Sequence, residues 1–391
     1  MGRLTCPYCY ETFKEREIKF RCTGRLSRSE KTCPAERDQQ LALRIGRSTL
    51  LPPVFEARGQ DLRATCPTCG DVTSYRVCPA CHSTLPVQFG KFNSRLIAMV
   101  GAKQSGKTVY MTVLLHELAH TVGQRFDAAV VGADDDTRTK FTARYEHRLY
   151  REGALFGTTV SAGTRGGIVE PLVFRFTTER TGLLGSKSQH VLLSFFDAAG
   201  EDLNARERVD ANARYLANAD GIVLLLDPLQ MSAARSLAKD GPKPDEQGTD
   251  DPLHVLTRIT ELLKARLALK PSARIGTPIA VAFTKLDALW HTFPPESPLH
   301  GEAREIAAFD ELDSRDVHAH IQALLHEWGG LQIDQVLRLD YARYRYFGFS
   351  ALGEVPTKDQ RVAAVGIHPR RVADPFLWLL SEFGAIPTAK A

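Results

Sequence analysis

No cysteine occurs after Cys81, although the chain runs to 391 residues, so most of the protein must hold together by packing alone. No apolar run approaches the ~18 residues that a membrane-crossing helix needs. The longest, such as the GIVLLLDP stretch from Gly221, have the length of a strand. The opening MGRLTCPYCY carries no apolar stretch behind its arginine, so no secretory leader is expected and a cytoplasmic protein is. An excess of one charge is also missing: 50 Lys/Arg against 46 Asp/Glu give +4, which argues against a strongly basic nucleic-acid binder. The imbalance is local, because residues 1–90 hold 14 basic and 9 acidic side chains, a surplus of +5, and the remainder is at −1. What is present is ordinary for a globular protein, 43% hydrophobic and 25% charged, with length for two or three domains.

The eight cysteines fall along the chain as Cys6, Cys9, Cys22 and Cys33, then Cys66, Cys69, Cys78 and Cys81. A Cys-x2-Cys turn aims two thiolates at one tetrahedral corner, and a second pair closes the shell around zinc. Taken in chain order, each foursome forms one zinc-ribbon site, two Zn²⁺ in all, on a region 1–90 whose small core needs metal to fold. Paired knuckles in a cytosolic chain argue against disulfides. Ribbons present loops to partners, and the basic stretch RCTGRLSRSEK at 21–31 raises contact with nucleic-acid phosphates as an alternative to a solvated loop. The Pro/Gly-bearing stretches at 51–60 and 85–93 read as connectors, with a second domain over 91–391.

Arg95–Val100 reads as a buried strand that runs into GAKQSGKT, residues 101–108, and then into the helical VYMTVLLHELAHTV. Strand, glycine loop and helix are the context that a phosphate-binding G-x-x-x-x-G-K-[ST] loop requires. Backbone N–H groups of Gly101, Gln104, Ser105 and Gly106 would cradle a β-phosphate. Lys107 would reach the β- and γ-phosphates, and Thr108 would hold Mg²⁺. Beyond lie a mostly helical insert at about 125–155, a polar loop at 157–167, and a hairpin of PLVFRFTTER and HVLLSFFDAAG. Strands then alternate with helices: GIVLLLDP, a helix from Asp251, TPIAVAFTKLD, a helix from Ser314, RYRYFGFSALG, and a closing amphipathic helix DPFLWLLSEFG. The expected fold is an α/β three-layer sandwich, a mostly parallel sheet with one antiparallel edge strand contributed by the hairpin.

Asp197-Ala198-Ala199-Gly200 follows an apolar strand, where an acidic residue beside a phosphate loop can hold Mg²⁺ and Gly200 can offer its N–H to a γ-phosphate. GAKQSGKT, DAAG, TKLD and SAL, in that order, resemble the translation-factor-like (TRAFAC class) P-loop GTPases, and the cysteine-rich start resembles bacterial members carrying a double zinc ribbon. That resemblance covers residues 95–385. It implies a Mg²⁺-dependent switch that binds GTP and GDP, hydrolyses GTP, and contacts a protein partner. In the family pattern Asp287 accepts from guanine N1–H and the exocyclic amine, Lys285 lies across the base, and Ser350 and Ala351 bring backbone N–H groups to O6. Thr284 stands where the family has Asn, keeping a hydroxyl but losing reach. Glu201 stands where small signalling GTPases place a Gln that orients water, which predicts slow intrinsic hydrolysis or a GTP-binding adaptor without turnover. Among Thr158, Thr159 and Thr164, Thr164 is the expected switch threonine, being nearest the strand that leads to DAAG, with Arg165 beside it.

Residues 116–120 read His-Glu-Leu-Ala-His, a helical pair of zinc ligands with Glu117 as base in metalloproteases. Position 126, where the longer pattern needs a third histidine, is Phe126, and the phosphate loop already accounts for the helix. A metalloprotease is not the expectation.

Overall fold

A computed structural model describes residues 3–26, 30–86, 89–90, 94–102, 104–157, 171–182, 185–195, 214–238, 251–301, 304 and 306–389. Its centre is a seven-stranded sheet. In chain order the strands are β1 Ser94–Gly101, β2 Ala128–Gly132, β3 Leu172–Gly182, β4 Gly185–Phe195, β5 Gly221–Leu226, β6 Ile279–Phe283 and β7 Tyr344–Gly348. Across the sheet they lie β2-β3-β4-β1-β5-β6-β7. β3 alone runs against the rest, pairing antiparallel with β2 and β4, while β4, β1, β5, β6 and β7 are mutually parallel. The hairpin and its one antiparallel strand are as the sequence suggested. The insert supplies one strand more: Ala128-Ala129-Val130-Val131-Gly132 extends the sheet outside β3, in a stretch read as mostly helical.

Side chains alternate across the sheet as a period of two demands. Ile97 and Met99 of β1, Val223 and Leu225 of β5, and Ala280 and Ala282 of β6 face one apolar layer, with helices α1 Lys107–Ala119 and α5 Asp374–Glu382. Leu96 and Ala98, Ile222 and Leu224, and Ile279, Val281 and Phe283 face the other, with α2 Pro252–Arg266, α3 Glu311–Glu327 and α4 Leu331–Asp340. Burial on both faces explains why β5 and β6 read as continuous apolar runs. Helix α5, expected to be amphipathic, is buried at every position from Pro375 to Leu380, because it lies under the sheet. Among the described residues no helix is long and apolar enough to cross a membrane.

The second face of the sheet is not covered by helices everywhere. Val173 of β3 and Leu192 of β4 are buried against Cys6, Tyr8, Phe13, Ile18, Cys78, Cys81 and Phe89 of the cysteine-rich region. That region is built on a three-stranded sheet in which Lys19–Arg21 pairs antiparallel with Val54–Phe55 on one side and Arg76–Val77 on the other. It takes the place that a helix layer holds elsewhere on this face.

Candidate functional site

The described residues expected at a nucleotide site gather at the carboxyl ends of β1, β5, β6 and β7, where ligands of open α/β sheets bind. β1 ends at Gly101, and there is no room there for a side chain: an added Cβ would lie 2.6 Å from both the Leu225 carbonyl oxygen and Ser105 Oγ. Gln104 (φ 62°) and Gly106 (φ 82°) are left-handed, a backbone habit that turns successive N–H groups into one anion-binding hollow. Helix α1 begins directly at Lys107. The lysine Nζ donates to the carbonyl oxygens of Gly101 (2.9 Å) and Ala102 (2.7 Å), so the ammonium is held over the loop. The Ser105 side chain is fully buried, and its hydroxyl finds no partner among the described residues. Thr108 sits in the first helical turn, its carbonyl accepting from Thr112 Oγ1 at 2.7 Å. These features fit a phosphate chain: a glycine cradle, a helix amino terminus, and a cation folded onto the loop.

The guanine motif joins this loop directly. Thr284 Oγ1 donates to the Ser105 carbonyl oxygen at 3.0 Å, so the shorter side chain spans the distance that its length had put in question. Lys285 adopts a left-handed conformation (φ 56°) and pairs with Asp227 Oδ2 at 2.6 Å. Asp227 closes β5, is fully buried, and also caps the next turn by accepting from the Leu229 N–H at 2.9 Å. The sequence reading missed Asp227. Its only signal was an acid at the carboxyl end of a buried strand, on the edge that carries the other motifs.

Asp287 Oδ1 accepts from the Ser350 hydroxyl at 2.7 Å, and Ser350 Oγ in turn accepts from the Gly353 N–H at 2.8 Å. Phe349 N–H to Phe283 O (3.0 Å) and Leu286 N–H to Phe349 O (3.3 Å) zip the TKLD and SAL loops together, with Ala351 beside them, also buried. Thr284, Lys285, Asp287, Ser350 and Ala351 therefore lie together, joined through Thr284 to the loop of Gly101, Gln104, Ser105, Gly106, Lys107 and Thr108. Thr164, Asp197, Gly200 and Glu201 lie outside the described residues.

Burial pushes the Asp287 carboxyl up to about 6, against the opposing pull of the Ser350 hydroxyl. As an acceptor of guanine donors the carboxyl would have to be ionised, so binding would expel the proton and weaken as pH falls through that value. GDP affinity is expected to drop by about tenfold per pH unit below 6 as its limiting slope. A fluorescence titration with labelled GDP between pH 7.5 and 5 checks this, and a flat profile contradicts the assignment of the acceptor.

The eight thiols form two buried groups, each with its sulfurs within 4.8 Å of one another, but not in chain order. Cys6 and Cys9 group with Cys78 and Cys81, and Cys22 and Cys33 with Cys66 and Cys69, which corrects the sequential partition. Lys19 lies opposite Val77 and Phe20 opposite Arg76, so Cys22 and Cys78, each just after its strand, leave from opposite ends, one into each group. The nearest sulfurs are 3.8 Å apart (Cys6–Cys81, Cys9–Cys78, Cys33–Cys66) and 3.6 Å apart (Cys22–Cys69). Tetrahedral zinc with bonds of about 2.3 Å separates its sulfurs by about 3.8 Å, so both groups fit that ion. Amide N–H groups of Tyr8, Gly24 and Ala80 point at Cys6, Cys22 and Cys78 Sγ, each at 3.4 Å, as knuckle turns do around a thiolate. Arg21, first residue of the basic stretch, is turned inward: it pairs with Asp38 at 2.8 Å and donates to the Pro52 carbonyl.

The helical histidines have other employment. His116 Nδ1 lies 3.1 Å from Glu146 Oε1 and stacks on Tyr150, and His120 Nδ1 donates to the His116 carbonyl at 2.7 Å.

A protein from Mycolicibacterium smegmatis described as "Putative ESX-1 scaffolding and assembly protein SaeC" is 27% identical over 328 residues, covering 79% of this chain and 80% of its own. Solved structures of low similarity include the signal recognition particle receptor SRb-GTP/SRX complex from Chaetomium thermophilum (12% identity, 71% of this chain and 95% of that one, TM-score 0.28). Another is the Arl6 BBS3 small GTPase from Trypanosoma brucei (13% identity, 75% and 98%, TM-score 0.28). The model of the family "Double-GTPase 2" matches residues 95–335, which spans β1, the phosphate loop and the guanine motif. With its P-loop α/β fold, the chain belongs to the Double-GTPase 2 family.

Proposed function

We propose that the chain is a Mg²⁺-dependent GTP-binding and GTP-hydrolysing switch of the translation-factor-like class, with two zinc-ribbon sites that serve contact with a protein partner. One observation carries the reading: the Thr284 hydroxyl on the Ser105 carbonyl, which couples the phosphate loop and the guanine loop into one site. Along it, Lys107 and the loop N–H groups bind the phosphates and neutralise charge as the γ-phosphoryl leaves. Thr108, with Asp197, would hold Mg²⁺, which supplies charge neutralisation between the β- and γ-phosphates when bound. Asp287 selects guanine, Lys285 is kept in place by Asp227, and Ser350 orients the carboxylate.

The eight cysteines, grouped for metal rather than for disulfides, suit the reducing cytoplasm. They belong to a module over residues 1–90 that docks on the nucleotide domain of 91–391. The relative described as a scaffolding and assembly protein favours a partner that is itself a protein, met in an assembly process. The same relative, with Glu201 in the water-orienting position, favours a second reading, a GTP-loaded adaptor. Single-turnover phosphate release from the GTP complex separates them. Release at least about tenfold above the uncatalysed rate supports the switch, and a rate equal to buffer supports the adaptor.

A further inference from the structure

The residue after each zinc knuckle sits in the same backbone state. Tyr10 (φ 60°), Gly70 (φ 78°) and His82 (φ 59°) are all left-handed, and each N–H returns to the first cysteine carbonyl at 2.9–3.0 Å. Glycine accepts that conformation freely, but tyrosine does not. A tyrosine kept there needs a use for its side chain, and the structure supplies one. Tyr10 is 3% exposed, not on its own module but inside the nucleotide domain.

Its hydroxyl lies 2.9 Å from Ser194 Oγ on β4. Ser194 Oγ donates its proton to the Pro7 carbonyl at 2.8 Å, so Tyr10 is the donor of the pair. The Tyr10 ring packs on Tyr215, centroids 4.7 Å apart, and its carbonyl accepts from Asn218 Nδ2 at 3.1 Å. Tyr215 bridges the point where two strands part. β1 and β4 pair from Ser94 with His190 to Ile97 with Leu193. Just beyond, the Tyr215 hydroxyl donates to the Ser194 carbonyl at 2.7 Å and accepts from the Met99 N–H at 2.7 Å. Met99 stands two residues before Gly101, and Ser194 three before Asp197.

We propose that the metal site of Cys6, Cys9, Cys78 and Cys81 is thermodynamically coupled to the nucleotide site through Tyr10. A loaded site closes the Cys6–Cys9 turn, and that turn seats Tyr10 against Ser194 and Tyr215. The contact sets the spacing of β1 and β4 where they lead into the phosphate loop and DAAG. Metal occupancy thus tunes affinity for guanine nucleotide, and bound nucleotide raises the affinity for that metal by the same factor, as linkage requires. The coupling rests on the guanine-nucleotide reading above.

Tyr10→Gly on the full, zinc-loaded chain is the test, since glycine suits the turn and keeps the cysteines. The expected result is two zinc ions per chain, faster amide hydrogen exchange in peptides covering 94–101 and 190–195, and a GDP affinity lowered at least about fivefold. Two zinc ions with exchange and affinity both at wild-type values would overturn the proposal. If the variant folds poorly, the wild type decides. In equilibrium competition with a chelator, saturating GDP should raise the affinity for one of its two zinc ions at least about fivefold, and equal zinc affinity with and without GDP refutes the coupling. Should the loaded wild type bind no GDP, the nucleotide reading falls, while the exchange comparison between Tyr10→Gly and wild type still judges the link between metal site and strands.

Discussion

Replacing Lys107 with alanine should raise the GDP dissociation constant by at least about a hundredfold. The ammonium now rests on the Gly101 and Ala102 carbonyls, 2.9 and 2.7 Å away, at the mouth of the loop that would take the phosphates. Net hydrogen bonds to charged groups stabilise by about 1.5–3 kcal/mol each, and bonds to two oxygens of the β-phosphate that GDP keeps give about 3–5 kcal/mol, or roughly two to four decades of affinity. Truncation also leaves the two carbonyls without that donor and loosens the loop, which adds to the loss. Isothermal titration with GDP measures it, and a circular-dichroism spectrum like that of wild type shows that the sheet survives. Undiminished affinity would mean that the loop does not bind phosphate.

Asp287→Asn should exchange guanine preference for xanthine. Guanine presents two donors to the carboxylate, whereas xanthine replaces the amine with an acceptor. An asparagine amide matches that pattern with one oxygen and one N–H. The change is conservative for the surroundings, because Asn Oδ1 can still accept the Ser350 hydroxyl that now lies 2.7 Å from Asp287 Oδ1. Leaving a buried partner unmatched costs about 1–3 kcal/mol per group, so two mismatches shift the GDP-to-XDP ratio by at least about a hundredfold. The variant should also lose the fall in affinity below pH 6 that the Asp287 carboxyl imposes. Competition of labelled GDP against XDP reads both effects. An unaltered preference would remove Asp287 from base recognition.

What the sequence disclosed and what it withheld divide along a physical line. The phosphate loop, the hairpin and the two base-reading loops were legible because each is set by a few adjacent residues: a glycine where backbone crowds, a lysine at a helix start, a carboxylate at a strand end. The partition of the cysteines was not legible. It joins thiols 69 and 75 positions apart in one group and 33 and 47 apart in the other, around strands of two and three residues too short to show a period. The strand Ala128–Gly132 escaped for a related reason, since five small and β-branched residues between helices signal little until β3 is there to pair with them. Asp227 and the reach of Thr284 depend on how strand ends are spaced across the sheet. The docking of Tyr10 depends on contacts between residues 184 positions or more apart. Spatial neighbours so far apart in the chain leave no pattern in it.

The cysteine module's place on the sheet bears on how the protein responds to metal loss. Val173 and Leu192 are covered by it, so its unfolding would expose apolar surface on the nucleotide domain as well. A ribbon module free of the domain would leave the sheet untouched, and the link through Tyr10 is the point at which the two cases differ.

Equilibrium binding of GTP and of ATP to the purified zinc-loaded chain, with Mg²⁺, tests the central claim most directly. A buried carboxylate at Asp287 tied to the phosphate loop through Thr284 predicts tight GTP binding and ATP binding weaker by at least about a hundredfold. Equal affinity for the two nucleotides, or binding of neither, would contradict it.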